Sequence, residues 1–279
     1  MKLRKATDND SQWKSILCYG EPKIGKTTAS ESMPKPILRL HMDGEYDGEA
    51  VISSDSDTMS LDIITYEDLY KAVMAILLAT DSHRAHTKDE PALARIKIAK
   101  DSGDAEEIKE LSQTIKEHGF QSLVIDSFMS MQDTFYAYTK QNNTKALNGD
   151  GWELFGGIWD ITQYMYKRLM WVPMHKLYLT HVDTKKDDET GATLHVPLFM
   201  GGATYKNLPR QFSIITRIFQ DKAWEKGSDH NRWLQIATSG NFVAGARGEG
   251  IGGPTAIPAD FSKLIELVNK NDKETVTNE

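Results

Sequence analysis

The sequence predicts an α/β fold organised around a phosphate-binding loop. Three observations carry that prediction. Residues 20–28, Gly-Glu-Pro-Lys-Ile-Gly-Lys-Thr-Thr, fit the pattern G-x-x-x-x-G-K-[ST]. An apolar run, Ser15–Tyr19, precedes this loop, and a helix-forming stretch, Thr28–Met33, follows it before Pro34 and Pro36. About 100 residues later, Phe120–Ser127 runs apolar into a single Asp126.

The loop's chemistry explains its residue types. Gly20 and Gly25 permit a tight turn and close backbone approach to phosphate oxygens. The intervening Glu21, Pro22, Lys23 and Ile24 complete the loop, whose successive N–H groups form an anion cradle with the start of the helix. Lys26 is placed to reach the β- and γ-phosphates of ATP, and Thr27, followed by Thr28, to offer a hydroxyl to Mg²⁺. A glycine-rich turn matching this pattern by chance somewhere in such a chain has odds of roughly one in a hundred.

The remaining elements follow in order. Residues 1–14 read as a polar lead-in, with Trp13 at the start of the first strand. Pro36–Met42 reads as a second strand. It ends in the acidic tip Asp43-Gly-Glu45-Tyr-Asp47-Gly-Glu49, where an open α/β sheet places its ligands. Such a tip serves either as a solvated turn or as the source of a catalytic carboxylate. Leu61–Thr65 reads as a strand, and Glu67–Ala79 repeats apolar residues at helical spacing. Residues 81–118 form a charged helical insertion whose mixed charge is that of a solvated face.

Phe120–Ser127 reads as a Walker B strand, with Asp126 holding Mg²⁺ from its end. Phe128–Lys140 reads as a helix, residues 141–151 as a polar, mobile loop, and Trp152–Trp171 as a long aromatic helix serving core or subunit interface. Lys176–Asp183 is the next strand. His181 stands at its end, either near the γ-phosphate and a moving loop or as a hydrogen-bonded structural histidine. Residues 184–206 read as a long loop, functional or disordered. Phe212–Gln220 and Arg232–Thr238 read as strands of a hairpin. A glycine-rich stretch, 242–254, surrounds Arg247. Asp260 caps a last helix, Phe261–Asn269, and residues 270–279 form a polar, disordered tail.

Composition narrows the function classes. A chain of 279 residues suits one large α/β domain, here 15–269. The net charge of −7 argues against a globally basic nucleic-acid binder while leaving room for a basic stripe. The single cysteine, Cys18, forms no intramolecular disulfide and is expected to pack within the first strand of a cytoplasmic protein. No apolar run reaches the length of a membrane span, and residues 1–8 lack a secretory apolar stretch.

The order of these elements resembles the RecA-like P-loop ATPases of bacteriophages, and more specifically the Sak-type family associated with single-strand annealing and recombination. The matching residues are Gly20–Thr28, Met42–Glu45, Leu123–Ser127, Thr180–Val182, Gly201–Thr204, Leu208-Pro209 and Gly245–Arg247. The resemblance implies a mostly parallel, twisted sheet with helices on both faces and ATP and Mg²⁺ at the strand ends. It implies that Glu45 polarises the attacking water, with Asp43 as fallback, and that His181 occupies the sensor position. Residues 141–151 and 184–206 then correspond to loops facing single-stranded DNA, with Lys145, Lys185, Lys186 and Lys206 as phosphate contacts. Arg247 stands where ring or filament relatives reach into a neighbour's nucleotide, or else is a surface arginine. A single-strand-binding protein is a further implied partner. Against a DNA-facing loop, Lys185-Lys186 is followed at once by Asp187-Asp188-Glu189. The alternative is a P-loop motor or switch acting on a protein partner or assembly, without direct DNA contact.

Overall fold

Strands buried on both faces need apolar residues at successive positions, and the sequence supplies them. In the computed structural model, Ser15–Gly20 (β1), Ile37–His41 (β2) and Ser122–Asp126 (β4) are buried along their entire lengths. The structure describes residues 13–42, 56–80, 82, 104–187, 190–220, 232–246 and 255–277. Among these, Thr58–Asp62 (β3), His175–Lys186 (β5) and Ile214–Gln220 (β7) complete a six-stranded parallel core in the order β7-β1-β5-β4-β2-β3. Arg232–Gln235 (β8) runs antiparallel to β7, and Ala256–Pro258 (β10) antiparallel to β8. Thr193–Pro197 (β6) pairs with β5 and Gly245–Ala246 (β9) with β7, both antiparallel.

Helices cover both faces. On one, Leu17, Leu40, Leu123, Ile125 and Tyr178 pack beneath Tyr66–Ala79 and Phe128–Asn142, and beneath Gly151–Met170. On the other, Ile16, Cys18, Val124, Leu177 and Leu179 meet Ala29 and Met33, and Phe261, Leu264 and Ile265 of the last helix. The expected mostly parallel α/β sheet, with helices on both faces and an antiparallel pair after it, is the fold found. The helices are Lys26–Ser30 (α1), Tyr66–Ala79 (α2), Asp104–His118 (α3), Phe128–Asn142 (α4), Thr144–Leu147 (α5), Gly151–Met170 (α6), Gly202–Asn207 (α7) and Phe261–Thr277 (α8).

Local chemistry sets the helix starts. Thr65 and Asp68 form a reciprocal capping box ahead of α2. Ser127 caps α4 by accepting from the Ser130 N–H, and Asp150 caps α6 by accepting from the N–H groups of Trp152 and Glu153. Arg39, buried on the α1 face, donates to Ser30 Oγ at 2.8 Å and pairs with Glu31 at 2.5 Å. That pair ties β2 to the end of α1, and α8 docks alongside through Ser262, whose N–H and hydroxyl both donate to Ser32 O.

Several boundaries depart from expectation. The strand expected over 61–65 lies at Thr58–Asp62, because Thr65 is committed to capping α2. The loop expected over 141–151 contains α5. The loop expected over 184–206 is largely ordered: β5 continues through Lys186, turns at Asp187 and Gly191, and returns as β6 before α7. A turn with alternating strand residues on either side is legible only once β6 has β5 to pair with. The tail expected from 270 is helical through Thr277, since nothing in Lys270–Thr277, which holds neither glycine nor proline, breaks the backbone ladder of α8.

Candidate functional site

The loop after β1 is shaped by two residues of positive φ, Lys23 at 61° and Gly25 at 93°. Alternating hand along a short loop turns successive N–H groups toward one point, the geometry of an anion nest. The Lys26 ammonium lies inside this bend, donating to Glu21 O at 2.9 Å and Gly20 O at 3.1 Å. Burial lowers its pKa, while the negative charge of Asp126 works in the opposite direction.

The sheet brings distant residues to this loop. Gly20 is in register with His181 on β5, and Leu179 of β5 with Asp126 on β4. His181 Nδ1 lies 3.4 Å from Lys26 Nζ; an ammonium only donates, so this nitrogen is the acceptor. Thr27 Oγ1 donates to Asp126 Oδ2 at 2.8 Å. Lys26, Thr27, Asp126 and His181 thus converge at the C-terminal ends of three adjacent parallel strands, where open α/β sheets bind ligands. A hydroxyl beside one carboxylate fits Mg²⁺, which takes few protein ligands and completes its shell with water and phosphate. Among the described residues no group of three or more His, Cys, Asp or Glu could hold a metal by itself.

Glu45, Asp43 and Arg247 lie outside the described residues. Lys145 is exposed and paired with Glu153 at 3.3 Å. Lys185, Lys186 and Lys206 are exposed on β5 and α7. Partial desolvation lowers the Lys185 pKa, with Asp183 opposing the shift and Lys206 adding to it. Trp152 is 92% exposed and Phe155 47% at the start of α6, whereas Ile158, Met165 and Tyr166 of the same helix are buried. The aromatic helix therefore divides between core and surface. Cys18 is fully buried in β1, and burial pushes its thiol up to about 12, a neutral packing group.

Two arginines flank the loop from the other side, and no motif in the sequence marks them. Arg217 of β7, in register with Tyr19, stacks on Phe242 at 3.4 Å from the ring centroid. Arg232 opens β8 and lies against Gly25: a Cβ built on that glycine would stand 2.5 Å from Arg232 Nε and 2.6 Å from Cζ. Only the pairing of β8 with β7, and of β7 with β1, brings Arg232 to this place.

Among the described residues, no helix is long and apolar enough to cross a membrane. No curated protein matches the chain. Solved structures that resemble it include the RadB recombinase, at 11% identity and TM-score 0.39, covering 79% of each chain. An ATPase from the type III secretion system of pathogenic bacteria is 12% identical with TM-score 0.40, covering 75% of this chain and 52% of the other. A further solved ATPase domain is 13% identical with TM-score 0.32, covering 84% of this chain and 80% of the other. The family model described as an AAA domain (AAA_24) matches residues 13–248, and the chain belongs to that family.

Proposed function

We propose that this protein binds ATP with Mg²⁺ at Gly20–Thr28 and hydrolyses it. The observation that carries the reading is the convergence of Lys26, Thr27, Asp126 and His181 at one end of the parallel sheet. Membership of an AAA-domain family supports it. The metal, held by Thr27 and Asp126, would neutralise charge on the phosphates. Backbone N–H groups of the loop orient the phosphates, and Lys26 turns from the loop carbonyls to the terminal phosphate oxygens. Water attacks the γ-phosphorus in line, its proton passing to Glu45, or to Asp43 in that residue's place; the bond to the bridging oxygen breaks and ADP leaves. His181 bears on Lys26 and positions it.

The same proposal extends to single-stranded DNA engagement in recombination or annealing by a ring or filament of a phage-encoded protein, with Arg247 reaching a neighbour's nucleotide. Lys185, Lys186 and Lys206 supply phosphate contacts, and exposed Trp152 supplies a stacking face. A second reading, an ATPase acting on a protein partner without DNA, is favoured by the Lys145–Glu153 pair and the net charge of −7. ATP hydrolysis measured with and without single-stranded DNA, at low and moderate salt, separates them. Stimulation that fades with salt is the expected result for the DNA reading. Hydrolysis indifferent to DNA selects the second, and no hydrolysis under any condition overturns the ATPase assignment.

A further inference from the structure

The position of Arg232 bears on which end of a nucleotide it meets. In the sheet order β8-β7-β1-β5-β4, the strands carrying His181 and Asp126 lie on one side of β1, and β8 lies on the other. Arg232 shares its face of β8 with Leu234, which packs in the core layer beneath α1, so its side chain is on the same side of the sheet as Lys26 and Thr27. Its guanidinium covers Gly25 closely, with Nη2 3.0 Å from the position of a Cβ on that residue. Among the described residues no carboxylate is paired with it. The φ of 93° is what favours glycine at position 25; a side chain there would also displace the flexible guanidinium above it.

We infer that Arg232 is a nucleotide-binding residue supplied by the same chain, acting on the inner, nucleoside-proximal phosphate rather than on the γ-phosphate. The inference rests on the ATP reading above. A triphosphate held with its terminal phosphate at Lys26, on the β5 and β4 side of the loop where Thr27 and Asp126 would hold its metal, would have its inner phosphate nearer the β7 and β8 side, where Arg232 lies over Gly25. A guanidinium offers a planar fork of donors matched to phosphate oxygens, and it never loses its charge at ordinary pH. An inner phosphate is common to ADP and ATP. Arg232 thus differs in kind from an arginine that stabilises charge developing on the γ-phosphate: it strengthens binding of both nucleotides alike.

The test is calorimetric titration of ADP and of a non-hydrolysable ATP analogue, each with magnesium, into the wild type, R232A, R232K and K26A. We expect K26A to lose both nucleotides. R232A should weaken both in parallel by about tenfold or more, the scale of one charge-assisted contact. R232K should recover only part, because an ammonium is a point charge without the fork. If R232A does not fold, as judged by its circular dichroism melt, R232K and R232Q carry the same comparison. Wild-type affinity for ADP in the folded arginine variants overturns the inference, and so does a loss confined to the ATP analogue. Failure of the wild type to bind either nucleotide overturns the ATP reading instead, and is recognised before any variant is compared.

Discussion

Thr27 Oγ1 donates a 2.8 Å hydrogen bond to Asp126 Oδ2, joining residues 99 positions apart. The hydroxyl begins the helix after the phosphate-binding loop, and the carboxylate ends a strand two places away in the sheet. The bond brings two oxygens of the kind Mg²⁺ accepts to one point.

Asp126→Asn keeps an acceptor for Thr27 but removes the charge. The variant should retain its fold and lose about a hundredfold or more in turnover, the scale of removing one electrostatic contact to a transition state. Magnesium titration of the hydrolysis rate beside a thermal melt checks this. Wild-type turnover in a folded variant removes Asp126 from the site.

Lys26 and His181 should separate binding from turnover. Lys26→Ala removes the ammonium that the loop carbonyls hold and should abolish nucleotide binding. His181→Ala leaves the loop intact and should lower turnover by about tenfold while affinity changes little, the pattern of a contact that matters in the transition state. Equal losses in affinity and rate would make His181 an element of ground-state binding.

Gly25→Ala meets both a positive φ and the Arg232 side chain. We expect a stability loss of about 1–2 kcal/mol from the backbone alone. Displacement of the guanidinium should weaken nucleotide binding in addition. Urea unfolding and calorimetry measure the two effects separately, and an unchanged midpoint would contradict the strained geometry.

Stability should fall on acidification through His175. Its Nδ1 accepts a hydrogen bond from the Lys14 N–H at 3.1 Å, and Trp13 packs edge-on at 5.1 Å. Burial, then the positive charges of Lys176 and Lys14, lower its pKa from 6.5 to about 4. The unfolded chain takes up this proton below 6.5 and the folded chain resists it until about 4. Stability contributed by neutral His175 is therefore complete above 6.5 and lost as pH falls toward 4, about 3 kcal/mol in all. Urea unfolding between these pH values should show that slope in the wild type and a shallower one in His175→Asn. Equal slopes would mean that another group controls the acid limb.

Much of this protein was legible in its sequence because the relevant physics is local. Two glycines and a lysine at fixed spacing specify a loop that can hold phosphate. Uninterrupted apolar runs specify strands buried on both faces, and Ser127, Asp150 and Thr65 mark helix starts through side-chain oxygens one turn from the N–H groups they satisfy. The Trp152–Trp171 helix was legible as a helix, yet its division between buried Met165 and exposed Trp152 required knowing where the sheet ends. The segment after Val182 became a hairpin only because β5 runs on through Lys186 to meet β6. Sheet order was decided by tertiary structure alone. It placed β5 between β1 and β4, setting His181 beside Lys26, and placed β8 on the opposite flank, setting Arg232 over Gly25. Neither proximity has a local signature. Each comes from strand pairing between segments far apart in the chain, selected by the burial of the whole sheet rather than by spacing along the sequence.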